Sequence, residues 1–174
     1  MSKELAFTSA WEMRNLIKQK KVSPVEITKI YFERINRLDS QLNSYLTLNE
    51  KEALESAHKA EKAVLSGEPL GKLHGIPIGV KDLEMTAGIR TTQGSLIYKD
   101  NIPTADTIVV ERLRNAGAII LGKTNASEFG AVGFNENRLG DHCRNPWNTE
   151  RTTGASSGGA GAAMAAGLCS LATG

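Results

Sequence analysis

Cysteine is scarce in this 174-residue chain: Cys143 and Cys169 are the only two. That is too few for a disulfide framework and reads as two reduced cytosolic thiols. Long apolar runs are also missing, since stretches such as Ala116 to Leu121 fall far short of the roughly 20 residues that cross a bilayer. The opening residues MSKELAFTSA hold no apolar core of a signal peptide, so the expected location is the cytoplasm. Charge of one sign is lacking as well. Twenty-one Lys+Arg against 19 Asp+Glu leave a net charge of +2, with no basic block at either end, which argues against capture of nucleic acid or of an anionic membrane. Metal ligands do not cluster: His142 and Cys143 adjoin, His58 sits in a charged helical stretch, and no second pair follows at a chelating spacing. No metal and no cofactor is expected, and partners are to be sought among small molecules.

Glycine is abundant but unevenly spread. Residues 1–74 hold 2 of the 17 glycines and residues 75–174 hold 15, so the chain changes character near Gly71. The first part, residues 1–70, reads as helical. Ser9 with Glu12 and Ser23 with Glu26 are capping boxes, in which a hydroxyl and a carboxylate satisfy free amides at a helix start. Pro24 stands at the first helical position of the second helix, and Ile27, Ile30, Tyr31, Ile35 and Leu38 form its stripe. A third helix is expected from about Asn49 to Leu65, stopped by Gly67, with a short strand at Ser44 to Leu48 before it. The lysine runs read as solvated faces.

The second part, residues 71–174, reads as alternating strand and helix. Strands are expected at Ile76 to Val80, Ala118 to Leu121 and from Leu168 to Leu171. Thr104 and Asp106 are placed to open a helix through Leu113, and another should run from about Gly158 to Ala166. Strands separated by helices imply an α/β fold with a mixed, largely parallel, buried sheet and flanking helices.

Two pattern matches fail on physical grounds. GAIILGKT, Gly117 to Thr124, fits the phosphate-loop pattern, but that chemistry needs a strand before the first glycine and a flexible loop after it. Here the middle residues read as strand. GASSG, Gly154 to Gly158, fits a nucleophile elbow, yet a turn-rich charged segment precedes it and no histidine follows Ser156.

Gly158, Gly159 and Gly161 interrupt an otherwise alanine-rich helix, and each interior glycine costs roughly 1 kcal/mol against alanine. Either backbones pass close together there, or free amides at the helix start face something held by Ser156 and Ser157. Lys81 follows the apolar run IPIGV and precedes Asp82. It is either snorkelling and paired with Asp82, or desolvated with a lowered pKa.

In order, GIPIGVKDL (75–83), GIRTTQGS (88–95), AGAIILGKTNASEFG (116–130), RNPWN (144–148) and GASSGGAGAAMAAG (154–167) resemble the amidase signature family of serine hydrolases. Lys81 and Ser156 lie 75 positions apart, as is usual in that family. The resemblance implies a Ser-Ser-Lys arrangement that hydrolyses an amide C–N bond through an acyl-enzyme. Lys81 would be the neutral general base and Ser156 the bridging serine, after a cis peptide. Ser157, Gly158 and Gly159 would shape the pocket. Ala155 stands where the family usually has Gly. The family nucleophile lies in a G-x-D-x-G-G-S loop, which would fall past Gly174, so residues 71–174 would be the first part of the core and the chain alone is expected to be inactive. The implied partner is a small-molecule amide, and a homo-oligomer is compatible with this reading. The glutaminase-like component of a tRNA-dependent amidotransferase and a truncated non-catalytic protein are the alternatives.

Overall fold

Serine hydroxyls start the helical layer. The computed structural model describes residues 2–174, beginning with α1 (Ser2–Ala6), α2 (Ala10–Lys18) and α3 (Pro24–Leu42). Ser9 Oγ accepts from the Glu12 amide at 3.2 Å. Ser23 Oγ accepts from the Val25 and Glu26 amides at 2.9 and 3.4 Å and donates onward to the Glu61 carboxylate, which ties the α3 cap to the next helix. Met13, Ile17, Ile27, Ile30, Tyr31 and Ile35 are buried, as the helical spacing requires. After Asn43, which takes a left-handed turn with φ 51°, the Asp39 carboxylate accepts from the Ser44 and Tyr45 amides at 2.8 and 3.2 Å. This turns the chain into β1 (Tyr45–Leu48), which leads to α4 (Glu50–Ser66), ended at Gly67.

The remaining elements are β2 (Pro77–Lys81), α5 (Ile108–Asn115), β3 (Ile119–Thr124), a hairpin of β4 (Arg144–Asn145) and β5 (Asn148–Thr152), α6 (Gly158–Ala165) and β6 (Leu171–Ala172). The main sheet has the order β1-β3-β2-β6. β2 runs parallel to both neighbours and β1 antiparallel to β3. Every residue of β2 and β3 is buried, which is the signature of a parallel sheet covered on both faces. This is the mixed, largely parallel α/β architecture read from the sequence. The core is shared, for Ile27 and Ile35 of α3 join Ile78, Val80, Leu121 and Leu168 in one apolar cluster. Among the described residues no helix is long and apolar enough to cross a membrane.

Three elements differ from expectation. The helix expected at Thr104 and Asp106 begins only at Ile108, because Asp106 is otherwise engaged: its carboxylate accepts from the Ala87 amide at 2.7 Å and pairs with Arg114 at 2.9 Å. β3 runs past Leu121 to Thr124, since Lys123 is held inside by its own hydrogen-bond partners rather than ending the strand. Gly122, Lys123 and Thr124 are therefore paired strand residues, and the phosphate-loop reading is excluded. β6 begins late. The Ser170 amide and hydroxyl both donate to the Pro77 carbonyl, at 3.4 and 2.8 Å, and strand pairing starts only at Leu171. The β4–β5 hairpin had no sequence signal, because all five residues of β5 are exposed and show no apolar alternation.

The C-terminus of α6 is fastened to α3. Arg34 Nε donates to the Gly167 carbonyl at 2.7 Å and Nη2 to the Ala166 carbonyl at 2.6 Å, with the guanidinium 5.1 Å over the Phe7 ring. At the other end the helix presses on β3. A methyl group on Gly159 would sit 2.3 Å from the Asn125 nitrogen and 2.5 Å from its carbonyl oxygen, whereas one on Gly161 would meet nothing within 4 Å. The two glycines therefore have opposite consequences. Gly161→Ala is expected to raise stability by about 1 kcal/mol through helix propensity, and Gly159→Ala to lower it by about 1–3 kcal/mol through overpacking. Urea unfolding of both variants checks this, and equal shifts would show that the close approach at Gly159 is not limiting.

Candidate active site

Lys81 closes β2, flanked in register by Thr124 of β3 and covered on the other side by the chain that follows β6. Its amide donates to Thr173 Oγ1 at 2.7 Å. The side chain is 8% exposed, and its Nζ lies 2.8 Å from Ser156 Oγ and 2.7 Å from Ser157 Oγ, donating to both. Both serines are half-buried, and the Ala155–Ser156 peptide is cis. Among the described residues Lys81 has no ion-pair partner.

Asp82 is turned away from Lys81. Its carboxylate accepts from the Thr92 amide at 3.2 and 3.0 Å, from the Thr92 hydroxyl and from the Gly94 amide at 3.4 Å. The pairing of Lys81 with Asp82 is therefore not what forms, and the lysine stays desolvated beside neutral hydroxyls. Burial pushes the Lys81 amine below its ordinary value, while the Glu84 carboxylate pulls the other way. Burial raises the Asp82 carboxyl, opposed by its bond from the Thr92 hydroxyl and by the charge of Lys123.

The loop that Asp82 organises reaches back to the serines. The Gln93 carbonyl accepts from the Phe129 amide at 2.9 Å, and Gly130 follows with φ 68°. A Cβ built on Gly130 would stand 3.6 Å from Ser156 Oγ, so backbone approaches that hydroxyl closely. Glycine is required here by the positive φ and by Leu83, whose Cδ1 would lie 2.8 Å from a Cβ at this position.

A sequence model of the amidase family matches residues 26–174. The chain belongs to the amidase signature family. Over 171 residues it is 42% identical to the A-type component of the glutamyl-tRNA(Gln) amidotransferase of Carboxydothermus hydrogenoformans, covering 98% of this chain and 35% of that protein. Among solved structures it is similar to the native peptide amidase of Stenotrophomonas maltophilia, with a TM-score of 0.87 and 33% identity over 95% of this chain and 35% of the other. It is also similar to a bacterial aryl acylamidase of the amidase signature family, with a TM-score of 0.88 and 32% identity over 94% of this chain and 34% of the other. The chain thus spans about a third of the length of these relatives.

For this amidase signature chain the structure brings Lys81, Ser156 and Ser157 into one hydrogen-bonded cluster. Gly158 and Gly159 are buried, and a Cβ on Gly158 would lie 2.2 Å from Thr153 Oγ1 and 2.7 Å from Asn135 Nδ2, so these glycines seat α6 against the neighbouring loops. Sequence reasoning missed the direct bond between Ser157 and Lys81, the anchoring of the Lys81 amide by Thr173, and the brace that Thr92 and Gly94 give Asp82. The TTQGS block was the available signal for the last, because a threonine and a glycine amide suit a buried carboxylate.

A depressed lysine pKa makes a signed prediction. Above the folded value and up to lysine's ordinary value the unfolded chain holds more protons, so this group's contribution to stability rises with pH there. Below the folded value the penalty for a buried ammonium is fully present. Lys81→Met is expected to be stabilised relative to the unaltered protein near about pH 7, with the gap narrowing toward about pH 10. Urea midpoints of both proteins across this range measure it, and a constant gap would mean that Lys81 titrates as a solvated lysine.

Proposed function

We propose that Lys81 and Ser156 are the proton-handling arm of an enzyme that hydrolyses carboxylic amides through an acyl-enzyme. The observation that carries this reading is the contact of one desolvated amine with two serine hydroxyls at 2.8 and 2.7 Å and with no carboxylate. An ammonium has donors only, whereas a neutral amine also has a lone pair. The neutral form donates to Ser157 and accepts the proton of Ser156. Ser156 in turn takes the proton of the attacking hydroxyl, which forms the acyl–oxygen bond, and Lys81 returns a proton to the departing nitrogen. Water then releases the acyl group.

In this assignment neither Ser156 nor Ser157 is the nucleophile. A fluorophosphonate probe is expected to leave both unlabelled, and Lys81→Met should lower kcat/KM of the enzyme containing this chain by about 10²- to 10⁴-fold, the range for loss of a general base. Peptide mass spectrometry of the probe-treated protein checks the first point. An adduct on either serine overturns the role assignment.

A second reading is favoured by the relatives from glutamyl-tRNA(Gln) amidotransferases, which stand at about two-fifths identity, as in the 42% match above. There the amide would be glutamine and the released ammonia would pass to partner proteins. Ammonia release from glutamine that requires added partner proteins supports this second reading. Hydrolysis of acyl amides by the enzyme alone supports the first.

A further inference from the structure

The lysine of the Gly-Lys-Thr pattern remains unexplained by the reaction. Lys123 is wholly buried at 0% exposure, in a strand whose every residue is buried. It pairs in register with Val80, while Lys81 pairs with Thr124. Alternation along the strands therefore sends the two lysines to opposite faces. Lys123 Nζ donates to the Glu84 carbonyl, and to Thr86 Oγ1 at 2.6 Å.

Those two acceptors belong to the turn that leaves Lys81. The Glu84 amide donates to the Lys81 carbonyl at 3.0 Å, Thr86 Oγ1 donates to the Glu84 carbonyl at 2.9 Å, and Glu84 Oε2 accepts from Thr107 Oγ1 at 2.9 Å. The same ammonium feels the carboxylates of Asp82, Glu84 and Asp106, and the opposing charge of Arg114. A buried cation without compensation would be expelled or neutralised. Of the acids that compensate it, Glu84 is the one that also acts on Lys81.

We propose that Lys123 is a positioning residue, whose buried ammonium pins the Lys81–Thr86 turn from the face opposite the serines and engages its acids, so that the Lys81 amine is delivered to Ser156 and Ser157. The relevance to catalysis rests on the amidase reading above, but the coupling between the two lysines does not. Glu84 is the shared neighbour, since its carboxylate raises the proton affinity of both Lys81 and Lys123. Removing the Lys123 charge leaves Glu84 to act on Lys81 alone.

The test reads the Lys81 side chain by NMR with lysine labelled at the ε-carbon and ζ-nitrogen, assigned by its absence in Lys81→Arg. In Lys123→Met, which keeps the length of the stem and removes the charge, the Lys81 midpoint should rise by about one pH unit, a tenfold fall in neutral amine at a fixed pH below it. No shift in a folded Lys123→Met overturns the proposal. If that variant does not fold, the unaltered protein decides, because burial lowers Lys123 to about 8 and the charge can be removed by pH alone. The Lys81 resonances should then show an inflection at the Lys123 midpoint, and a Lys123 titration that leaves Lys81 unmoved overturns the coupling. Labelling of Ser156 or Ser157 by a fluorophosphonate would fail the roles assigned above and leave this result intact, so the two failures are distinguishable.

Discussion

An amine buried at the end of β2 and hydrogen-bonded by two hydroxyls is the constraint around which this chain is organised. A lysine beside a carboxylate is locked as an ammonium, and a lysine in solvent is an ammonium by default. Lys81 is shifted away from that default because Asp82, its immediate neighbour, is occupied by Thr92 and Gly94, and because β2 is buried along its whole length, with Glu84 alone pulling back. What remains within reach of Nζ is Ser156 and Ser157. The chemistry proposed for the site follows from what has been taken away from the lysine more than from what has been added to it.

That arrangement requires both faces of the sheet. On one face the start of α6 brings the serines down, which is possible because Gly158 and Gly159 let backbone and side chains of the loops approach. On the other, Lys123 reaches the end of the Lys81 turn. Between them, the acid-organised loop at residues 92–94 carries Phe129 and then Gly130 up against Ser156. Each contact is short in space and long in sequence, so the site is a property of the folded chain and of no single segment.

Much of the scaffold is legible in the residues. The hydroxyl caps at Ser9 and Ser23 announce α2 and α3, because capping is decided within four residues, and the apolar run before Lys81 announces β2. The departures share one cause. Asp106 has the pattern of a helix-starting residue and is spent on Ala87 and Arg114. Lys123 has the pattern of a residue that ends an apolar run and is satisfied by a turn 37 residues earlier, and Ser170 delays β6 by bonding to Pro77. In each case a polar side chain finds a partner remote in sequence, which local pattern does not encode. The cluster itself is visible only in part: the Lys81–Ser156 pair follows from the family resemblance, whereas the equal approach of Ser157 depends on how α6 docks.

Arg34 shows how the helical layer helps to hold the serine helix in place. Its two bonds to the end of α6 bridge 133 and 132 positions of chain. The entropy of closing so large a loop grows only with the logarithm of its length, so the distance itself adds little to the cost of docking. It does add to the time, because contacts of high sequence separation slow the search. The serine helix is thus held at its far end by a side chain remote in sequence, and loss of the Arg34 guanidinium would free the last carbonyls of α6. The helical layer in this way fixes the end of α6 opposite to the one that carries Ser156 and Ser157, so that the helix is restrained at both ends.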